Sequence, residues 1–145
     1  MKRIILLAFL CTTTLVMAQR INHVQEAIAN YDYEAALTLI AKEKPTIPLL
    51  LQKGKAQRGL GMNTEALSTY QEIITNDTAN TRAYIEAAEC CRSLAKYQQA
   101  LKYYEQALDL NPENKYVRIQ YIGLLLSLQK FQDALGAVSY THLTL

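Results

Sequence analysis

Residues 81–114 read TRAYIEAAECCRSLAKYQQALKYYEQALDLNPEN, which is the pattern of two amphipathic helices with a short joint between them. Apolar residues recur in each half at intervals of three and four, which places them on one face of an α-helix. Pro112 ends the second helix, because a proline disfavours the helical conformation in the residue before it. The first stripe contains Tyr84, Ala87, Ala88, Cys91 and Leu94, and the second contains Tyr97, Ala100, Leu101, Tyr104, Ala107 and Leu108. Neither helix can bury such a stripe alone, so the pair is expected to stack on further copies of itself.

The same pattern returns at a shift of 34 residues, a period that is typical of helix–turn–helix repeats. Three positions show the register: a leucine that ends the first helix, an alanine early in the second helix, and a polar residue before each first helix that is a predicted N-cap. Their members are Leu60, Leu94 and Leu128; Ala66, Ala100 and Ala134; and Thr46, Asn80 and Asn114. The chain therefore contains blocks in phase at 47–80, at 81–114 and from 115 onward.

These residues resemble the tetratricopeptide repeat (TPR) family, whose unit is a helix–turn–helix of this length. In block 81–114 the family's aromatic, alanine and proline positions are occupied by Tyr84, Ala100, Tyr104, Ala107 and Pro112. The block departs from the family where Ala87, Ala88 and Cys91 stand in place of a leucine–glycine pair and a tyrosine. The resemblance implies an all-α protein, a right-handed α-solenoid of stacked antiparallel helix pairs with about 3.5 repeats.

The predicted organisation follows from the blocks. It comprises a signal peptide at 1–18, a degenerate capping repeat at 19–46, TPR-like repeats at 47–80 and 81–114, a truncated TPR-like repeat at 115–137 and an unpatterned tail at 138–145. The first repeat is called degenerate because Ala36 precedes Ala66 by 30 residues rather than 34, which predicts a shortened second helix. Terminal repeats are often atypical, since they present one polar face to water.

The first residues have the features of a secretory signal. Lys2 and Arg3 precede a short apolar run at 4–16, and Val16 and Ala18 suit a cleavage site after Ala18. The run is too short for a spanning helix and ends in small residues, so a transmembrane anchor is the less favoured alternative. We expect export to the periplasm or cell envelope of a bacterium.

The tail reads VSYTHLTL and leaves the repeat pattern. One permitted back-translation, GTC TCT TAT ACA CAT CTG ACG CTG, resembles the transposon-end adapter used to prepare sequencing libraries. We therefore interpret 138–145 as an adapter artefact that follows a natural sequence reaching to about Ala137. A native irregular terminus is the alternative, because chain ends are often unpatterned. The codons of the parent DNA distinguish the two.

The sequence predicts no enzyme and no cofactor. His23 and His142 lie far apart, and the chain has neither a Cys/His cluster with metal spacing nor a glycine-rich phosphate loop. Glu86 and Glu89 are interpreted as part of a solvated helix face rather than as paired catalytic carboxylates. Cys91 is interpreted as a small core residue and Cys90 as its neighbour, with an intermolecular disulfide through Cys90 as the alternative.

A binding surface is the remaining source of function. In the family the first helix of each pair lines a concave face, and by register the candidate partner-binding residues here are Lys55, Arg58, Arg82, Ile85, Glu89, Arg92, Tyr116 and Ile119. This mixture of cationic and apolar side chains suits an acidic or amphipathic peptide or partner helix. The family's clamp for chaperone tails needs an asparagine where Lys55 and Glu89 stand, so that partner class is disfavoured.

The leading hypothesis is thus a non-enzymatic scaffold for protein–protein interactions in the cell envelope. Net charge is +2 for the 145 residues and comes from Lys2 and Arg3, which argues against a nucleic-acid partner. No small-molecule substrate is expected. Membrane attachment is expected only through a C-terminal part that is missing from this sequence. The alternative is an N-terminal exported input region of a longer sensor or enzyme, and the complete gene would separate the two.

Overall fold

The computed structural model describes residues 21–129 together with residues 133, 136 and 138. Within this part of the chain all regular secondary structure is α-helical, as the repeat pattern predicted. The helices are α1 (21–29), α2 (Tyr33–Ile40), α3 (Ile47–Gly59), α4 (Asn63–Asn76), α5 (Thr81–Ser93), α6 (Tyr97–Leu110) and α7 (Lys115–Ser127). The predicted signal peptide at 1–18, Ala134 and the tail beyond Val138 lie outside the described residues.

The chain divides into two compact units, Met1–Met62 and Asn63–Leu145. Of the helices, α1 to α3 belong to the first unit and α4 to α7 belong to the second. The boundary falls between α3 and α4, which are the two helices of block 47–80. Each unit has buried apolar residues of its own.

In the described part of the first unit, aliphatic side chains of α1, α2 and α3 pack together. Its core contains Val24, Ile28, Ala36, Ile40, Leu49 and Ala56. The second helix of the pair, α2, has 8 residues, against 14 in each of α4 and α6. Near the end of α3 a Cβ atom at Gly59 would overlap the ring of Tyr33, so only glycine allows this close approach of α2 to α3.

In the second unit α4 packs on α5, α5 on α6 and α6 on α7. The predicted stripes of α5 and α6 are mostly buried: Ala87, Ala88 and Cys91 have no exposed surface, and neither does Tyr104. The prediction is wrong for Tyr97, which is 42% exposed. Tyr97 is the first residue of α6 and lies at the edge of the packed face. Helical periodicity predicts the direction of its side chain, but not whether a neighbouring helix covers it.

The joint after each first helix contains a residue in the left-handed conformation. These residues are Tyr31 (φ 61°), Gly61 (φ 74°), Ala95 (φ 56°) and Gln129 (φ 60°). After α5 the backbone N–H of Ala95 donates to Arg92 O at 3.0 Å, and that of Lys96 donates to Cys91 O at 2.8 Å. This pair of bonds is the Schellman motif, which satisfies carbonyl groups that the end of a helix leaves open. Gly61, Ala95 and Gln129 follow one another at the same 34-residue interval as the sequence repeat.

Two of the three predicted N-caps are confirmed. Asn80 Oδ1 accepts a hydrogen bond of 3.1 Å from the backbone N–H of Ala83, and Asn114 Oδ1 accepts one of 3.1 Å from that of Val117. Thr46 occupies the N-cap position of α3, but its side chain makes no capping hydrogen bond. There Pro48 lies in the first turn, where its missing N–H costs nothing.

Both cysteines of α5 are fully buried. Neither Cys90 nor Cys91 takes part in a disulfide within the described residues. Burial raises the pKa of the Cys91 thiol, and the nearby charge of Lys96 opposes this shift. The alternative of an intermolecular disulfide through Cys90 is therefore not supported, because a buried thiol is inaccessible to a second chain.

Candidate functional site

The side chain of Glu89 on α5 accepts hydrogen bonds from residues of all three helices α5 to α7. Its Oε1 atom accepts from the hydroxyl of Tyr104 at 2.6 Å and from that of Tyr116 at 3.3 Å. Its Oε2 atom accepts from Nη1 of Arg92 at 3.3 Å, one turn further along α5. One carboxylate thus ties the first helix of block 81–114 to the second helix and to the following block.

Arg92 extends these contacts to α7. Its Nη1 atom donates to Oε1 of Gln120 at 2.6 Å, and it lies 3.4 Å from the hydroxyl oxygen of Tyr104. We refer to Glu89, Arg92, Tyr104, Tyr116 and Gln120 as the Glu89 network. Hydrogen bonds to charged groups are shorter and stronger than those between neutral groups, so the network fixes the side chains between α5 and α7.

The network is partly removed from water. The side chain of Glu89 is 16% exposed and that of Arg92 is 39% exposed. Burial, together with the hydrogen bond to Glu89, raises the pKa of the Tyr104 hydroxyl. Burial and the charge of Glu89 raise the pKa of Tyr116, and the hydrogen bond with Tyr104 raises that of Arg92. Within the network the carboxylate of Glu89 and the guanidinium of Arg92 form an ion pair of 3.3 Å.

An apolar surface on α7 adjoins the network. Tyr116, Ile119 and Leu126 are exposed by 54%, 67% and 47%. Their spacing, with Gly123 between them, places them on one side of the helix. A Cβ atom at Gly123 would meet nothing within 4 Å, so this side of α7 is open at its middle. We call Tyr116, Ile119, Gly123 and Leu126 the α7 face.

The structure brings three of the eight predicted binding residues into direct contact, namely Glu89, Arg92 and Tyr116. Ile119 lies one turn from Tyr116 on the same α7 face. On α5, Arg82 is exposed and Ile85 is half-buried. The remaining two, Lys55 and Arg58, are an exposed and a half-buried residue of α3 in the first unit. The role of all eight in binding stays a prediction.

Sequence reasoning missed two members of the network. Tyr104 was predicted only as a core residue, although its hydroxyl contacts Glu89, and Gln120 was not singled out. The interpretation of Glu89 as part of a solvated face is wrong, because three donors surround its carboxylate. A tyrosine rather than a phenylalanine at the buried position of Tyr104 was the available signal, since a buried hydroxyl needs a partner.

Other chemistry in the described part of the chain is sparse. There, no group of three or more His, Cys, Asp or Glu side chains is arranged to hold a metal ion. Nor does any helix among these residues have the length and apolar character needed to cross a bilayer. A surface cavity of about 330 Å³ in the first unit has mainly aliphatic walls, which include Leu37, Ile40 and Leu49. None of the eight predicted residues lines it.

Consecutive helix pairs that pack on one another, as α4 to α7 do, are typical of helical-repeat proteins. Two models of the tetratricopeptide repeat family match the chain, at residues 51–115 and 93–139, and together they span more than half of it. The chain belongs to the tetratricopeptide repeat family. Domains of this family are typically non-catalytic scaffolds for protein–protein interactions. The human tetratricopeptide repeat protein 6 is 30% identical over 89 residues, which are 61% of this chain and 16% of that protein.

Solved structures confirm the predicted fold class. The first TPR domain of human RPAP3 has a TM-score of 0.71 at 19% identity, covering 79% of this chain and 93% of that one. The first TPR of Spaghetti (RPAP3), bound to the HSP90 peptide SRMEEVD, has a TM-score of 0.73 at 20% identity, over 77% and 92% of the two chains. A tetratricopeptide repeat protein of Parabacteroides merdae has a TM-score of 0.75 at 24% identity, over 83% and 50%.

Proposed function

We propose that this protein is a non-enzymatic scaffold that binds an amphipathic helix or peptide of a partner protein on the α7 face. The observation that carries the proposal is the exposure of Tyr116, Ile119 and Leu126 on one side of one helix. Contiguous exposed apolar side chains are uncommon on monomeric proteins and mark surfaces for interaction. The open position at Gly123 leaves room for a partner to approach the backbone.

The Glu89 network supports the same surface. Tyr116 belongs to both, because its ring lies on the α7 face while its hydroxyl bonds to Glu89. The network therefore holds one edge of the apolar surface in place before a partner arrives, which lowers the entropy cost of binding. The Spaghetti domain, solved with a bound HSP90 peptide, supports a peptide as the kind of ligand.

The role of the α7 face in binding can be tested by comparing substitutions of exposed leucine and isoleucine residues on the face with one outside it. Ile119→Ser and Leu126→Ser remove apolar surface from the face, and Leu110→Ser removes a similar surface from the end of α6, where the side chain is 42% exposed. A partner captured by the wild-type protein would be purified and titrated against all three variants by calorimetry. We expect a loss of affinity of about tenfold or more for the two α7 variants, because each deletes several buried CH₂ groups.

Unchanged affinity in Leu110→Ser is the required control. Equal affinity of the partner for all three variants would place its binding site elsewhere and contradict the proposal. A negative heat-capacity change on binding to the wild-type protein is expected as well, because apolar burial produces one.

We also propose that the chain is exported to a bacterial periplasm or cell envelope. The support is the sequence of its first residues, where Lys2 and Arg3 precede the apolar run at 4–16 and Ala18 suits cleavage. Expression in a Gram-negative host, followed by N-terminal sequencing of the periplasmic fraction, tests this. A mature protein that begins at Gln19 is expected, and an uncleaved protein in the cytoplasm would contradict it.

A second candidate function is an exported input region of a longer sensor or enzyme. The observation that bears on it is that the chain matches 16% of a much longer human protein, so repeats of this kind also occur as part of longer chains. The complete gene tests it: further repeats up to a stop codon favour the scaffold, and a membrane span followed by a new domain favours the second candidate.

A further inference from the structure

We infer that Glu89 is an internal carboxylate that sets the charge preference of the α5–α7 surface. It occupies the donors that a partner's own carboxylate would use, so the protein selects a neutral amphipathic ligand over an acidic one. This inference rests on the proposed binding surface. It names the class of partner, and it replaces the broader expectation of an acidic or amphipathic peptide.

The donors that surround Glu89 are those of an anion site. Two tyrosine hydroxyls point to Oε1 and one guanidinium nitrogen points to Oε2, at 2.6, 3.3 and 3.3 Å. They come from α5, α6 and α7, so the site depends on the packing of three helices. A carboxylate of a bound peptide would need the same hydroxyl and guanidinium groups. Because Glu89 belongs to the chain, its effective concentration at the site exceeds that of any free ligand.

Electrostatic repulsion adds to this competition. A second carboxylate near Arg92 would lie close to that of Glu89, and like charges repel more strongly where water is partly excluded. Glu89 is 16% exposed, so solvent screens it poorly. Gln120 accepts a hydrogen bond of 2.6 Å from Nη1 of Arg92. Fewer N–H groups of Arg92 are therefore left to donate to a ligand. The surface next to the network is the apolar α7 face, which an uncharged ligand covers without such a penalty.

Glu89→Gln is the informative substitution, because the amide oxygen still accepts the hydrogen bond from Tyr104 while the negative charge is removed. Glu86→Gln is the matched control, since Glu86 is a half-buried acid on the same helix that contributes the same charge. Circular dichroism and thermal unfolding would verify that both variants are folded. The probes are two fluorescein-labelled amphipathic peptides of one pattern, with glutamates in one and glutamines in the other at the polar positions.

Fluorescence anisotropy would give the affinity of each protein for each peptide. We expect the wild-type protein and Glu86→Gln to prefer the glutamine peptide. Glu89→Gln should bind the glutamate peptide about tenfold more tightly than the wild-type protein does, and this gain should shrink as salt is added. An unchanged preference in Glu89→Gln, an equal gain in Glu86→Gln, or no binding of the glutamate peptide by Glu89→Gln would overturn the inference.

The two proposals fail in different ways. If the glutamine peptide binds but Glu89→Gln does not change the preference, the binding surface stands and the role of Glu89 is wrong. If only the glutamate peptide binds, and only to Glu89→Gln, the role of Glu89 stands and the proposal for the α7 face is wrong.

Discussion

Tyr104 has no exposed surface, yet its hydroxyl donates a hydrogen bond of 2.6 Å to Oε1 of Glu89 on the neighbouring helix. The position that packs the second helix of the repeat thus also orients an acid on the first helix. Both groups are satisfied in this way, and the charge of Glu89 is placed at the edge of the surface that we propose to bind a partner. Packing is thereby coupled, through one hydroxyl group, to the binding specificity that we propose.

Replacing Tyr104 by phenylalanine should destabilise the protein. The change keeps the ring in the core but removes a donor from a carboxylate that is 16% exposed, so we expect a loss of about 1–2 kcal/mol in the free energy of unfolding. Urea unfolding followed by circular dichroism measures it. Tyr103→Phe is the control, because the Tyr103 hydroxyl accepts an exposed bond of 3.0 Å from Gln71 and its loss should cost less than about 0.5 kcal/mol. Equal losses in the two variants would contradict the special role of the Tyr104 hydroxyl.

Stability should fall at alkaline pH because of one buried and one half-buried tyrosine, both hydrogen-bonded to carboxylates. The pKa values of Tyr104 and Tyr121 are raised above their ordinary value of 10.0, chiefly by burial and then by hydrogen bonds to Glu89 and Glu105. Above pH 10 the unfolded chain releases these protons while the folded chain retains them, so stability present below pH 10 is lost as the pH rises. Urea midpoints between pH 8 and pH 11 measure the decline. The Tyr104→Phe and Tyr121→Phe variants should show flatter curves than the wild-type protein, and parallel curves would count against this cause.

Exchanges between glycine and alanine should change the free energy of unfolding in opposite directions at the helix joints and within a helix. Ala95→Gly should stabilise the protein by about 0.5–1 kcal/mol, because it relieves the cost of a left-handed alanine at φ 56°. Gly61→Ala should destabilise it by a similar amount through backbone strain alone, since a Cβ there would meet nothing within 4 Å. Gly123→Ala, in the interior of α7 with equal space around it, should instead be stabilising by about 0.5–1 kcal/mol. Thermal unfolding separates the three, and one common sign for both glycine variants would refute the conformational explanation.

The N-cap positions should differ in their contribution to stability. Asn80→Ala and Asn114→Ala each remove a capping hydrogen bond of 3.1 Å, which should cost about 1 kcal/mol. Thr46→Ala removes a side chain that makes no such bond at the corresponding position of α3, and should cost only a few tenths of that amount. Chemical unfolding of the three variants tests the ranking. A loss for Thr46→Ala as large as that for Asn80→Ala would be inconsistent with the structure.

Features that depend on local sequence were predictable. Asn80 and Asn114 cap helices because an asparagine side chain reaches a backbone N–H three residues further on. The burial of Ala87 and Tyr104 follows from helical periodicity combined with the repeat period, which specify a face and its partner without knowledge of the crossing angle. These rules act over one or two helical turns, or through exact repetition along the chain.

Features that depend on how helices cross were not predictable. The contact between Arg92 and Gln120 joins residues 28 positions apart, and that between Glu89 and Tyr104 joins residues 15 apart. Their formation depends on side-chain direction at the interface, which sequence spacing does not supply. Tyr97 shows the same limit, because periodicity gives the direction of its side chain, whereas its exposure depends on where the packed face ends.

The left-handed residues in the joints have a consequence for how the number of repeats can change. The segment 95–128 begins at the left-handed Ala95 and stops just before the left-handed Gln129, so both of its boundaries have one backbone conformation. A tandem duplication of the gene with breakpoints at these joints would add α6, its linker and α7 as a whole and would interrupt no helix. Breakpoints at these left-handed residues would therefore add or remove helical surface in units of a single repeat.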